Sequence, residues 1–196
     1  MTYRIIPIAV IVVMVAVAAW FATGLFMKQN NSKVGSDLIV ADFELQDTSG
    51  NRVTAKDFSG KPMLVYFGFT YCPDVCPTEL MRLGQVLDDL GEQSKQINTI
   101  LISVDPERDT PESMKAYLEV FHPEIIGLTG NPDQIKDAAR AFRVYYARVD
   151  DPSSAVEYTM DHSAFVYLMD ENGKYLTHFS PDTDIELMLQ RIRNSL

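Results

Sequence analysis

Basic residues are scarce in this 196-residue chain, in which 17 lysines and arginines stand against 27 aspartates and glutamates and the formal net charge is −10. Arg4 is the only charged side chain among the first 27 residues, so the remainder is more acidic still. Nucleic-acid binding requires a basic stripe that neutralises phosphates, and none is visible. The composition therefore argues against a nucleic-acid partner and is typical of a soluble, acidic surface.

Charge is absent from residues 5–27, an apolar run of 23 residues, whereas about 20 residues are enough to cross a bilayer. Cleavage as a signal peptide is the alternative, because Ala16-Val17-Ala18 offers a small-residue cleavage site, but the apolar run continues past it. We predict an uncleaved membrane anchor over 1–27, a linker over 28–37 and a folded domain over 38–196. No Arg- and Ser-rich transit peptide precedes the run, which favours a bacterial inner membrane with the domain in the periplasm.

Beyond the linker, short apolar runs alternate with amphipathic segments, and no repeat or low-complexity tract is present. A turn at 47–51 predicts a small N-terminal hairpin, and the turn at 170–173 predicts a closing hairpin. The pattern predicts an α/β domain with a mostly parallel central sheet and helices on both faces. Strands are predicted at 63–69, 97–104, 125–128, 144–149, 163–169 and 174–179, and helices at 77–90, 111–121, 132–142 and 182–196.

The chain has only two cysteines, and three residues separate them in Cys72-Pro73-Asp74-Val75-Cys76-Pro77. They follow a buried strand and precede a helix, at the sheet edge where α/β folds bind ligands. With Pro77 as the first helical residue, Cys76 would be the N-cap and Glu79 would complete a capping box. A thiolate there should have a lowered pKa. The spacing alone leaves a structural disulfide, a redox couple and a metal site equally open.

Histidine is also scarce, with three in the chain. His122 lies at a predicted helix end and His178 in a predicted hairpin strand, and we interpret both as structural. His162 lies just before a predicted strand, where a ligand and a structural role are equally supported. Two thiolates and one imidazole form a soft ligand set that suits Cu(I) and can also hold Cu(II) or zinc.

Three blocks of sequence carry a resemblance to the Sco/SenC family. They are Tyr66-Phe67-Gly68-Phe69-Thr70 followed by Cys72-Pro73-Asp74-Val75-Cys76-Pro77-Thr78-Glu79-Leu80, then Val104-Asp105-Pro106-Glu107-Arg108-Asp109-Thr110-Pro111, then Asp161-His162-Ser163. The resemblance implies a thioredoxin-like fold and a copper chaperone for the binuclear copper centre in subunit II of cytochrome c oxidase.

By position, Cys72, Cys76 and His162 match the copper ligands of the family, and we expect either Cu(I) or Cu(II) as cargo. Asp161 is expected either to orient the imidazole or to stabilise the turn. A periplasmic copper donor or thiol reductant is an expected further partner. The charged residues Asp105, Arg108 and Asp109 are predicted first to form a structural network that holds their loop and only second to contact a partner.

The main alternative is a thiol–disulfide oxidoreductase that reduces partner cysteines during oxidase assembly or in redox signalling. The 160–163 stretch lacks the proline that thioredoxins place before the strand facing their cysteines, which favours a metal ligand at His162. A peroxidase is less consistent with the sequence, because Thr70 lies two residues before Cys72 rather than three. Phe69 and Tyr71 are expected to wall the site. We therefore expect a metallochaperone rather than an enzyme.

Overall fold

The computed structural model describes residues 39–150 and 157–196, together with Met14 and Trp20. The chain divides into one unit over Met1–Leu38 and a second over Ile39–Leu196. The predicted anchor and linker lie outside the described residues, apart from Met14 and Trp20, which both have helical backbone. Within the part of the chain that the structure describes, no helix is long and apolar enough to span a membrane.

The second unit is built on a seven-stranded sheet with the order β2-β1-β5-β4-β3-β8-β9. Its middle strands β3, β4 and β5 pair in parallel, while β1, β2, β8 and β9 add antiparallel pairs at the two sides. Strands β6 and β7 form a separate antiparallel pair. The strands are Glu44–Asp47 (β1), Arg52–Thr54 (β2), Met63–Gly68 (β3), Asn98–Ser103 (β4), Ile125–Thr129 (β5), Tyr146–Asp150 (β6), Tyr158–His162 (β7), Val166–Met169 (β8) and Tyr175–Phe179 (β9).

Helices connect these strands, and their starts follow local capping chemistry. The Thr110 side chain accepts a hydrogen bond from the backbone N–H of Ser113, and Asn131 and Gln134 form a capping box, as predicted. The helices are Val75–Leu90 (α1), Pro111–Leu118 (α2), Pro132–Phe142 (α3) and Ile185–Arg193 (α4), with 3₁₀ helices at Ala55–Phe58 and Gly91–Gln96.

The core lies at the middle of the sheet, where every residue of β3 is buried. Phe67 packs edge to face against Phe142 at 5.2 Å between ring centroids and against Tyr167 at 6.4 Å. Helix α1 buries its leucine face, and a fully buried Leu contributes about 1.5–3 kcal/mol. The core therefore fixes both the strand that ends at the cysteines and the helix that begins there.

The predicted start of α1 was wrong. The helix begins at Val75 with Asp74 as its N-cap, so Cys76 is the second helical residue and Glu79 lies buried inside the helix. Pro77 is accommodated because the first four N–H groups of a helix have no intrahelical partner anyway. The first hydrogen bond within the helix is the one that the Thr78 backbone N–H donates to the Asp74 carbonyl oxygen.

The predicted strand over 163–169 was also wrong in extent, since β8 begins at Val166 and a further strand, β7, ends at His162. Strand β7 pairs with β6, for example through Tyr146 opposite His162. Predicted helices at 111–121 and 182–196 are shorter in the structure than expected. The closing hairpin and the N-terminal hairpin are confirmed.

Candidate metal site

The two cysteines lie where β3 gives way to α1. Strand β3 ends at Gly68, and the turn that follows brings the backbone N–H of Cys72 to within 3.4 Å of the Phe69 carbonyl oxygen. Cys76 is fully buried in the first turn of α1, while Cys72 is partly exposed. Both are free thiols. The pair therefore combines one accessible sulfur with one that the core holds in place.

Gly68 makes room for the buried sulfur. A Cβ at this position would lie 3.0 Å from the Cys76 Sγ, 3.0 Å from the Tyr66 ring and 3.3 Å from Leu101. Such contacts are tighter than nearly all real Cβ contacts, so the neighbouring side chains would have to shift by a few tenths of an ångström. The glycine at the end of β3 therefore leaves the space that the Cys76 sulfur occupies.

His162 follows Cys76 by 86 residues in the sequence, but its Nε2 lies only 3.5 Å from the Cys76 Sγ. Its ring packs edge-on against Phe69 at 5.8 Å and Tyr66 at 6.2 Å. The Nδ1 lies 3.2 Å from the Ser163 carbonyl oxygen, which only accepts hydrogen bonds. With a metal ion on Nε2, Nδ1 would carry the ring proton and donate it to this carbonyl oxygen, which is the support that metal-binding histidines use.

Asp161, which was expected either to orient the imidazole or to stabilise the turn, is exposed. Successive side chains of a strand point to opposite faces, so the Asp161 side chain projects from the face of β7 opposite to that of His162. The acceptor beside Nδ1 is a backbone carbonyl instead.

The Cys76–His162 separation fits a shared metal ion. Zinc-type bonds of about 2.3 Å to sulfur and 2.0–2.1 Å to nitrogen, at a tetrahedral angle, would place the two ligand atoms about 3.5 Å apart. Among the described residues no three Cys, His, Asp or Glu side chains already form a complete metal site.

Comparison with known proteins matches residues 31–196 to the SCO1/SenC family. The chain belongs to this family. An SCO2-like protein of Rickettsia conorii is 44% identical over 166 residues, which is 85% of this chain and 78% of that protein. Bradyrhizobium japonicum ScoI, solved with copper bound, is 42% identical with a TM-score of 0.74, over 81% of this chain and 99% of that chain. The domain therefore has the thioredoxin-like Sco fold.

A more distant solved structure is that of BsSco, described as having a disulfide switch and as a member of the Sco family of cytochrome c oxidase assembly proteins. It is 23% identical, with a TM-score of 0.64 over 81% of this chain and 94% of that chain, and it shows the fold alone.

The two thiols of this Sco protein differ in acidity. The hydrogen bond from the Cys76 thiol, helped by His162 and by the backbone N–H of Cys76 at 3.4 Å, lowers the pKa of Cys72 to about 3 against the opposing effect of burial. The same thiol–thiolate hydrogen bond, together with burial, raises the pKa of Cys76. The prediction of a lowered pKa at Cys76 was therefore wrong, because Cys76 is the buried donor of this hydrogen bond and the Cys72 thiolate is its acceptor.

Sequence reasoning also missed Tyr66 as a site residue. Its hydroxyl donates a hydrogen bond to the Cys76 Sγ over 3.6 Å, from a fully buried position. Burial first, and then the charge on the nearby cysteines, raises the pKa of Tyr66, so the hydroxyl remains a donor. The sequence could have indicated this role, because Tyr66 lies two residues before Gly68 in β3 and the two residues therefore share a strand face.

The charged loop after β4 is structural, as predicted. Arg108 forms an ion pair with Asp105, with 2.5 Å between Nε and Oδ2, and both side chains are largely buried. Asp109 accepts hydrogen bonds from the Thr70 backbone N–H at 3.0 Å and from the Ser103 hydroxyl at 2.6 Å. The loop is thereby tied to the turn that carries Cys72.

The two remaining histidines have other partners. His122 lies 3.6 Å from Asp88, and its Nδ1 accepts from the Glu124 backbone N–H. His178 is 2.6 Å from the Tyr175 hydroxyl and packs against Phe165. These contacts agree with structural roles for both.

Proposed function

We propose that this Sco protein is a copper chaperone that carries one copper ion on Cys72, Cys76 and His162. The observation that supports this most directly is the 3.5 Å approach of His162 Nε2 to Cys76 Sγ, across 86 residues of sequence. Two sulfurs and an imidazole are the ligands that copper prefers. A relative that is 42% identical has been solved with copper bound.

The recipient in this proposal is the binuclear copper centre of cytochrome c oxidase subunit II. Loading requires both cysteines reduced, and Cys76 must release its proton as copper binds. The accessible Cys72 is the ligand that an incoming sulfur or imidazole of the recipient meets first. Release then proceeds by ligand exchange, from the accessible ligand towards the buried one.

The proposal includes a membrane tether at residues 5–27 in a bacterial inner membrane, with the copper-binding domain in the periplasm. The support for it is the charge-free run of 23 residues. A tether keeps the domain at the membrane surface and raises its effective concentration near a membrane-bound oxidase. Cell fractionation and protease accessibility of the full chain would test it, and recovery in the soluble fraction would contradict it.

Copper stoichiometry of the reduced full chain in detergent tests the ligand assignment. We expect one copper per chain and, with Cu(II), a thiolate-to-copper charge-transfer absorption. His162→Ala should weaken binding by about tenfold or more, because removal of a metal ligand or its close support has effects of about that size. His178→Ala is the matched control and should bind as the parent does. A parent that binds no copper, or a His162→Ala variant equal to it, would refute the assignment.

Delivery needs its own measurement. At least two equivalents of copper-loaded protein, because the recipient centre holds two copper ions, mixed with the copper-free soluble domain of subunit II should transfer their ions, measured as copper retained by the subunit II domain after separation. The His162→Ala variant, loaded to the same extent, should release copper to a small chelator faster than the parent does. Failure of the loaded parent to transfer copper would separate copper binding from chaperone activity.

A thiol–disulfide oxidoreductase is the second candidate, because the Cys72 thiolate is partly exposed and Cys76 lies beside it. In this reaction the Cys72 thiolate attacks a partner disulfide and forms a mixed disulfide, and one partner sulfur leaves as a thiolate. Cys76 then loses its proton and attacks Cys72, which releases the second partner thiolate and oxidises this protein by two electrons.

Cys76→Ser distinguishes the candidates, because it would trap the mixed disulfide if the protein is a reductase. His162→Ala should leave the exchange rate within about threefold, since exchange requires no metal ligand. Failure to trap any mixed disulfide with an oxidised subunit II domain would contradict the second candidate.

A further inference from the structure

Arg108 lies between the two parts of the candidate site. We call residues 69–76 the cysteine turn, and strands β6 and β7 the histidine ribbon. The Arg108 guanidinium carbon is 4.6 Å from the ring centroid of Tyr71 in the cysteine turn and 3.6 Å from that of Tyr158 in the histidine ribbon. It lies over the Phe69 ring as well, at 6.0 Å, and therefore contacts aromatic rings of both parts.

Hydrogen bonds fix the orientation of this guanidinium. Arg108 Nε donates to Asp105 Oδ2 at 2.5 Å, and Nη1 donates to the Tyr158 carbonyl oxygen at 3.0 Å. The Tyr158 hydroxyl closes the arrangement by donating to Asp105 Oδ1 at 2.8 Å. Asp105 is only 2% exposed, so these charge-assisted contacts lie in a poorly solvated region where they are strong.

Each stacked ring is close in sequence to a predicted copper ligand. Tyr71 directly precedes Cys72. Tyr158 is four residues before His162 on β7, and side chains two residues apart in a strand share a face. Within the described residues, β6 and β7 hydrogen-bond as strands only with each other and not with the seven-stranded sheet. Apart from its short connections to α3 and β8, the ribbon is therefore placed by side-chain contacts.

We propose that Arg108 is a positioning residue that holds the histidine ribbon against the cysteine turn and so keeps His162 Nε2 within reach of Cys76. The consequence for copper rests on the proposed function. The positioning itself is a property of the metal-free protein. In this role Arg108 acts through its contacts with Tyr71 and Tyr158.

Arg148 offers a matched control because it stacks on the same tyrosine. Its guanidinium carbon is 3.7 Å from the Tyr158 ring centroid, and two planar guanidiniums at such distances must occupy opposite faces of one ring. Its ionic partners among the described residues are Glu107 and Asp150, at the surface. Arg148 therefore shares the ring contact without a link to the cysteine turn.

Amide hydrogen exchange of the metal-free, reduced full chain tests the positioning directly. In Arg108→Gln, the amides of β6 and β7 should exchange about tenfold faster than in the parent, since contacts of this kind are coupled by up to a few kcal/mol. Arg148→Gln should change them by less than about threefold. Equal protection in Arg108→Gln and the parent would overturn the inference.

Tyr71→Leu keeps the inference testable if Arg108→Gln does not fold, because it removes one stacked ring and leaves the Arg108–Asp105 pair intact. It should raise exchange in the ribbon, although residue 71 belongs to the cysteine turn. Arg108→Lys should not restore protection, because lysine retains the charge but lacks the planar, stacking guanidinium. Unchanged exchange in Tyr71→Leu, or full protection in Arg108→Lys, would contradict the proposal.

Copper affinity separates positioning from general destabilisation. Arg108→Gln should weaken copper binding about tenfold in the parent and should have no further effect in the His162→Ala background, because both changes remove the same ligand contribution. Equal losses in the two backgrounds would refute action through His162. If the parent itself binds no copper, the proposed function fails, while the hydrogen-exchange result still decides the role of Arg108.

Discussion

The cysteine turn and the histidine ribbon are held in different ways. Cys76 is fully buried and follows a strand whose every residue is buried in the core. His162 ends a strand that lies outside the seven-stranded sheet and pairs with β6, whose last three residues are exposed. One part of the proposed ligand set is therefore built into the core, and the other is held by a few aromatic and charged contacts. If the proposed function holds, we expect substitutions in the ribbon to change copper affinity without loss of the fold.

The largest expected effect is a difference between the two cysteines. Because the pKa of Cys72 is about 3 and that of Cys76 is raised, Cys72 is already a thiolate at pH 5 and Cys76 is not. Alkylation of Cys72 in the metal-free protein should be nearly independent of pH from about 5 to 8 and about a hundredfold faster than that of Cys76. Mass spectrometry of the alkylated peptides would measure both rates.

Unfolding in urea supplies the control for this experiment, because both cysteines then become ordinary thiols whose rates rise about tenfold per pH unit. A folded Cys72 that follows the same rise would contradict the lowered pKa.

A larger residue at Gly68 should destabilise the cysteine turn through its packing against the core. Gly68→Ala places a Cβ 3.0 Å from the Cys76 Sγ, and we expect the free energy of unfolding to fall by about 1–3 kcal/mol. Gly84→Ala in α1 is the matched control, because its Cβ meets only the His122 Cβ, at 3.4 Å. That variant should be unchanged or more stable by up to about 1 kcal/mol. Equal effects of the two changes in chemical denaturation would contradict the steric account.

Removal of a tyrosine hydroxyl can be compared between the histidine ribbon and the surroundings of Cys76. Tyr158→Phe removes a hydrogen bond to the buried Asp105 carboxylate and should cost about 1.5 kcal/mol in unfolding free energy. Tyr66→Phe removes a longer bond to sulfur and should cost less than about 1 kcal/mol. The thiolate-to-copper absorption should shift only in Tyr66→Phe, which acts on the Cys76 sulfur itself. A shift of equal size in Tyr158→Phe would contradict that distinction.

The smallest expected effect is a pH dependence carried by Glu79 on α1. Burial raises the pKa of this carboxyl against the opposing effect of Arg82. The folded protein therefore holds the Glu79 proton to a higher pH than the unfolded chain does, and its ionisation lowers stability as pH rises from about 4 through the folded pKa. Glu79→Gln lacks this loss, so its stability relative to the parent should increase between about pH 4 and 7.

Urea unfolding of both proteins at several pH values would measure the difference. Glu119→Gln, at an exposed position, is the control and should not show the trend. A constant difference between Glu79→Gln and the parent would contradict the raised pKa.

Local chemistry explains which parts of the fold the sequence predicted well. The caps at Thr110 and Asn131 were placed correctly because each depends on residues within one helical turn. Strand β3 was recognised from a short, continuous apolar run, which is typical of a strand that is buried on both faces. The start of α1 was misplaced because proline is tolerated at several positions of the first turn, not only the first.

Long-range contacts explain what the sequence did not reveal. Strand β7 exists through its pairing with β6, a relationship that no local pattern encodes. The opposite pKa shifts of the cysteines depend on the hydrogen bond from the Cys76 thiol to the Cys72 thiolate and on the burial of Cys76, and both follow from packing rather than from the spacing of the cysteines. The exposure of Asp161 follows from strand alternation, once β7 is known.

The sequence by itself determined the class of the fold, the paired cysteines at the end of a buried strand and the family to which the chain belongs, because these depend on local periodicity and on motif order. Only the tertiary structure decided that His162 faces Cys76, that Cys72 is the acidic thiol and that Arg108 joins the cysteine turn to the histidine ribbon. Each of these depends on distances between segments far apart in the chain, which folding alone brings together.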